Sequence, residues 1–338
     1  MKRQALCVAA LACSAGMILS GCGKAVEETN ITTSGSEETT EAYHGPVLDL
    51  SGDPDDIINV RENSYYEGER FFIFAAKDSV IRGDLAVNIE RVMDELESLY
   101  GLSFDAGQGL TEIDWRDEYF GGEFRDINSD LAKPSIVIRP DPDDGTVPWC
   151  FSNVVMLYDT DLASEHSSFD TLYHEMAHLL RFRQSGNLGK VMEEGIALYA
   201  QDQVSRAESF ADWSIIQYVD YEGYSSIYDD SALLADPEGE FINATLSPGS
   251  AEQSAYQYGI RFVAFLMEAY GHDVIRTISE NAAARDLDLD GTDTDTIIEV
   301  IKESTSDDVF ERFGAWVPEG WNLYCAEYVE YIESFENR

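Results

Sequence analysis

His174-Glu175-Met176-Ala177-His178 is the stretch on which the reading of this 338-residue chain turns, and it holds two of only five histidines. On a helix, positions i and i+4 share one face, so both imidazoles point the same way and can grip one metal ion. The glutamate beside the first histidine is placed to take a proton from a water that the metal has acidified. With histidine this rare, a chance match to H-E-x-x-H anywhere in the chain has odds on the order of one in a hundred. Two histidines leave a tetrahedral zinc incomplete, because a catalytic site takes three protein ligands and keeps one position open. Arg181 to Gly186 contains no third histidine. The third ligand therefore comes from elsewhere, and a carboxylate is the usual alternative.

Working outward, Leu172, Ala177, Leu179 and Leu180 give the motif helix its apolar faces. Ser167 and Asp170 read as an N-cap with its capping-box partner, and the helix is expected to stop before Gly186. Val191-Met192-Glu193-Glu194-Gly195-Ile196-Ala197-Leu198-Tyr199 follows, with Glu194 16 residues beyond His178. That spacing leaves room for a helix end, a turn and a returning helix, expected over Glu193 to Val204. Upstream, Arg70 to Ala76 reads as a buried strand. Leu85 to Leu99 carries helical periodicity and ends at Tyr100-Gly101. Ser135 to Ile138 is a second strand, stopped by Pro140. Asn153 to Tyr158 is a third, expected at a sheet edge where it pairs with an extended substrate. Beyond the motif the chain reads almost wholly helical, including Tyr256 to Tyr270, Thr296 to Lys302 and Leu323 to Phe335.

The segment around Glu194 resembles the second motif of the gluzincin zinc metallopeptidases, W-L-x-E-G-[FI]-A-x-Y. The match runs through Glu194-Gly195-Ile196-Ala197 and Tyr199, and on it Glu194, rather than Glu193, is the ligand. Tyr256-Gln257-Tyr258-Gly259 resembles the Y-x-x-G segment whose first tyrosine stabilises the oxyanion in aminopeptidase-like members. Tyr256 is the counterpart by position and Tyr258 the fallback. The likeness covers residues 150 to 275 and departs in two places. No G-x-M-E-N segment precedes the motif, so the anchor for a free N-terminus is missing. Four residues after Glu194 stands Leu198 instead of a carboxylate, so the support for a zinc-bound histidine is sought at Asp202 or a backbone carbonyl.

The resemblance implies an α+β fold, a thermolysin-like catalytic core with a small N-terminal mixed sheet and a mostly helical C-terminal lobe, about 46–185 and 186–338. It implies one catalytic Zn2+ on His174, His178 and Glu194, with Glu175 as general base and Tyr256 as oxyanion donor. The implied activity is endopeptidase hydrolysis of a peptide or protein substrate. The competing reading is a non-catalytic surface protein that keeps the fold as a binding module, and a non-peptide substrate also stays open.

Lys2 and Arg3 precede an apolar run from Ala5 to Leu19, the pattern of a secretory signal, over 1–21. Leu19-Ser20-Gly21-Cys22 resembles the bacterial lipoprotein signal, in which the cysteine is lipidated. An exported, surface-exposed monomer anchored to the membrane through Cys22 is expected. Residues 22–45, rich in Thr, Ser and Glu, read as a disordered spacer. The formal net charge of −43 argues against nucleic acid and anionic lipid as partners. Cys150 and Cys325 are the cysteines of the folded part, and a disulfide between them stays open against two buried thiols. Neither has a local histidine partner, which argues against a catalytic thiol. Asp286-Leu287-Asp288-Leu289-Asp290-Gly291 begins like an EF-hand loop, but Ile297 stands where the bidentate acid is expected. It reads as an incomplete Ca2+ loop or an acidic turn.

Overall fold

Three apolar runs set the sheet. Phe72–Ala75 (β3), Ser135–Arg139 (β5) and Val154–Tyr158 (β7) are buried along nearly their whole length. Strands covered on both faces belong at the centre of a parallel sheet, and β3 pairs parallel with β5, and β5 with β7. Ser64–Glu67 (β2) closes one side antiparallel to β3, and Trp149–Phe151 (β6) closes the other antiparallel to β7. The five-stranded order is β2-β3-β5-β7-β6. Ile57–Asn59 (β1) and Val80–Arg82 (β4) form a separate pair. The computed structural model describes residues 46–107, 115–128, 131–142, 146–159, 170–208, 230–247, 252–285, 287 and 291–336. The signal, Cys22, the spacer, the Ser167 cap and most of the Asp286 to Gly291 run lie outside them.

Alternation along the strands feeds two cores. Ile73, Ala75, Ile136, Ile138, Val155 and Leu157 face the helices, joining Leu85, Ile89, Val92, Met93 and Leu96 of Leu85–Tyr100 (α1). Phe72, Phe74, Val137, Val154 and Met156 face the other way, onto Trp115 and Phe120 of Trp115–Phe120 (α2). α1 stops where Gly101 takes a left-handed φ of 65°, and its amide caps the Glu97 carbonyl.

The first core continues through Asp170–Phe182 (α3) and Lys190–Glu208 (α4). It then runs into Asp230–Ala235 (α5), Pro237–Leu246 (α6), Glu252–Tyr270 (α7), Val274–Ala283 (α8), Thr294–Ser304 (α9), Val309–Trp316 (α10) and Asn322–Glu336 (α11). The protein is thus mixed α+β, with a small sheet and a helical C-terminal region. Among the described residues, no helix is long and apolar enough to cross a membrane.

The strand expected at the sheet edge is interior instead. Val154–Tyr158 has a neighbour on each side, and the edge belongs to β6, which also packs on α3. Hairpin formation through Ser152, in the left-handed region at φ 54°, folds β6 back over the flank that β7 would otherwise expose.

Candidate metal centre

α3 carries the H-E-x-x-H residues and α4 returns antiparallel to it. The turn between them is pinned by a buried ion pair. Arg181, fully buried, donates to Glu193 through Nε at 3.1 Å and Nη2 at 2.9 Å, and Glu193 Oε1 also accepts from the Leu188 amide at 2.8 Å. With Glu193 consumed in this way, its neighbour Glu194 turns to the histidines.

Three donor atoms converge. His174 Nε2 lies 3.1 Å from His178 Nε2, and Glu194 Oε2 lies 3.2 Å and 3.5 Å from those two nitrogens. A tetrahedral zinc with Zn–N bonds of about 2.0–2.1 Å has ligand–ligand edges of about 3.3 Å. The donors thus stand at the separations that one such ion imposes. Glu194 Oε2 is buried from water and pairs with the two imidazoles. His174, His178 and Glu194 form the metal-competent group among those residues. Their chemistry, two imidazoles and one carboxylate, suits zinc.

The electrostatics make the same point. Burial works to lower the pKa of His174, but the bond with Glu194 and the charges of Glu175 and Glu194 more than offset it, and the imidazole is raised to about 9. Burial likewise works to raise Glu194, yet His178 and His174 hold its carboxyl well below the usual range. Two buried acids therefore demand a cation between them, whether a proton on His174 or a metal.

His174 Nδ1 meets Gln201 Oε1 at 2.9 Å, a bond that leaves Nε2 of the neutral ring as the lone-pair nitrogen. This corrects the expectation for Asp202. That carboxylate faces the C-terminal helix, where it accepts from Arg206 Nε at 2.7 Å, the Tyr324 hydroxyl at 2.5 Å and Gln203 Nε2 at 3.0 Å.

Gly195 and Gly259 mark the closest approach of α4 and α7. A Cβ on Gly195 would collide with the Gly259 carbonyl, and one on Gly259 with the Val191 carbonyl. The contact brings the N-terminal end of α7 over the centre. Tyr256 lies with its ring 6.5 Å from that of His174 and inclined by 15°. Tyr258, the fallback, is fully buried among Phe241, Phe262 and Phe313, and its hydroxyl donates to the Pro237 carbonyl at 2.6 Å. It is a core residue.

Glu175 is buried at 7 % exposure. Cys150, on β6, feels its charge: burial first, then Glu175 and Glu193, push the thiol well above its ordinary pKa, which disfavours the nucleophilic thiolate. Cys150 and Cys325, on β6 and α11, are not joined by a disulfide. Sequence reasoning missed Gln201, the edge strand β6 and the role of Gly259. Helical phase was a signal for the first, since Gln201 stands at i+7 from Glu194. No family model and no curated protein matches the chain.

Proposed function

We propose that the chain is a zinc-dependent peptidase of gluzincin type, an endopeptidase exported and held at a bacterial surface by a lipid on Cys22. The observation that carries the catalytic reading is the convergence of His174 Nε2, His178 Nε2 and a buried Glu194 Oε2 at 3.1–3.5 Å. His174, His178 and Glu194 would hold the ion, and Gln201 fixes the tautomer of His174. Zinc bound there supplies a Lewis acid, able to acidify water and polarise a carbonyl.

Glu175 is the general base. It takes the proton of the attacking water and returns it to the leaving amine. Tyr256 donates its phenol to the oxygen on which negative charge develops. The free side of β6 takes an extended substrate by strand addition, with the backbone giving register and alternate side chains giving preference. The export and anchoring rest on the basic, apolar and Leu19-Ser20-Gly21-Cys22 segments of the N-terminus.

The test pairs wild type with Glu175→Gln on a peptide library, with elemental analysis of both. Wild type should bind one zinc and cleave, and chelation should stop it. Glu175→Gln should keep the zinc and lose about a thousandfold or more in turnover. Zinc bound with no peptide cleaved would favour the binding module. A variant as active as wild type would sink the mechanism.

A further inference from the structure

Arg183 is the second buried guanidinium at the end of α3, and unlike Arg181 it donates to no carboxylate among the described residues. Its amide bonds the Leu179 carbonyl at 3.1 Å, one residue past the helix. A charge buried in that way is costly unless its hydrogen bonds are met. Three neutral oxygens from three segments meet them: the Phe104 carbonyl after α1, the Ala132 carbonyl before β5 (2.9 Å from Nη2), and Asn153 Oδ1. Asn153 is buried as well, and its Nδ2 donates to the Lys133 carbonyl at 2.6 Å and the Leu131 carbonyl at 3.3 Å. Ser152 at φ 54° and Leu131 at φ 56° flank these bonds in the left-handed region. Residues other than glycine keep that conformation where their surroundings impose it. Asn153 is the second residue of the two-residue turn that joins β6 to β7. The bond from Arg183 therefore fastens the hairpin that carries the sheet edge to the helix that carries His174 and His178.

A second contact joins the same two elements. The Phe151 ring meets Phe182 at 6.5 Å, and Phe182 stacks on His178 at 6.4 Å. Phe151 and Val154 close the turn as a hydrogen-bonded pair. At the next pair, Cys150 with Val155, the main-chain groups point away from the partner strand. The N–H and C=O of Cys150 are thus the ones that β6 turns to the sheet edge, and the charge of Glu175 reaches the thiol of the same residue. We propose that Arg183 and Asn153 are positioning residues, whose bond sets the Cys150 main chain against the metal and so fixes the register in which an extended substrate backbone enters the centre. This rests on the peptidase reading above. A slip of one residue in the hairpin would turn those main-chain groups into the sheet. A merely structural arginine would hold the fold, and its loss would lower the active fraction for every substrate alike.

The test uses the zinc-loaded full chain, a hexapeptide substrate drawn from a peptide library, and the same peptide N-methylated at each backbone nitrogen in turn. Wild type should show one position, outside the scissile bond, at which N-methylation raises KM about tenfold, the effect of one backbone hydrogen bond left unmade. Arg183→Met and Asn153→Ala should each raise the KM of the parent peptide about tenfold, keep zinc content and hold kcat within about threefold. In both, the penalty for N-methylation should shrink to under about twofold, because the backbone partner has moved. The double variant should be no worse than the more impaired single one, since both substitutions break the same bond. A fall in kcat with KM and the N-methyl penalty kept would make Arg183 structural and overturn the proposal, as would KM effects that multiply in the double variant. Should Arg183→Met fail to fold, Asn153→Ala, which keeps the arginine, decides. Cleavage by wild type with no position sensitive to N-methylation sinks this inference alone, whereas cleavage of no peptide in the library sinks the peptidase reading and this inference with it.

Discussion

Two buried carboxylates and one half-buried one stand on α4, and their surroundings differ. Glu193 is closed by Arg181 and the Leu188 amide. Asp202, fully buried, is closed by Arg206, Tyr324 and Gln203. Glu194 lies between them and turns a buried oxygen to two imidazoles. A saturated buried acid is already neutralised and belongs to the scaffold. One paired only with imidazoles is neutralised by a proton on a ring or by a cation that replaces that proton, and so belongs to a site. The comparison separates structure from site on a single helix, and substitutions at these positions are expected to separate in the same way.

The largest effect falls on the closed side. Glu193→Ala leaves Arg181 buried without its partner, and zinc-free protein should lose about 3–5 kcal/mol of stability by urea denaturation. A loss under about 1 kcal/mol would show that the pair is not what holds the α3–α4 turn. Next comes the open side. Glu194→Gln should fold, but the stabilisation that zinc confers, about 2.7 kcal/mol at a hundredfold excess over Kd, should disappear. Asp202→Asn should shift the zinc-free baseline and keep the zinc increment. If the two substitutions exchanged these outcomes, the division between open and closed acids would fail.

How much of this was legible in the sequence follows from the range of each interaction. The pairing of α3 with α4 is local, so the spacing of His174, His178 and Glu194 was enough to place the ligands together. Gln201 and Asp202 are adjacent in sequence but about 100° apart around the helix. A guess made by residue type chose the acid, whereas helical phase puts the amide on the face of Glu194. Tyr256 and Tyr258 pose the same problem in reverse. Two residues apart on α7, they point to nearly opposite faces, and nothing local says which faces the centre. That is decided by the Gly195–Gly259 approach, a contact between distant segments. The edge strand was missed because Trp149–Phe151 is three residues long, too short for alternation to show. Ile57–Asn59 and Val80–Arg82, also of three residues, were missed for the same reason.

Gln201 gives a finer test of the same comparison. Gln201→Ala frees His174 Nδ1, and zinc affinity should fall about ten- to a hundredfold, read by competition with a chelator. Gln203→Ala, whose amide serves the closed Asp202, should leave zinc affinity within about twofold. Equal losses in the two variants would mean that the bond to His174 Nδ1 does not organise the centre.

The smallest effect is graded by pH. In the zinc-free protein, His174 is raised from 6.5 to about 9. A raised folded pKa contributes stability that is fully present below the unfolded value and is lost as pH rises through the folded one. Metal-free protein should therefore lose stability between pH 6.5 and 9 from this group. Zinc requires the neutral ring, so below about pH 9 its binding displaces the His174 proton. Glu194 is already ionised there, because its pKa is depressed, and it releases none. Zinc affinity should then rise about tenfold, or 1.4 kcal/mol, per pH unit from 7 to 9 and flatten above. Calorimetry in buffers of different ionisation enthalpy counts the protons directly: close to one from His174 per zinc at pH 7.5, falling toward none beyond pH 9. A count near zero at pH 7.5 would show that the two carboxylates do not hold a proton on His174.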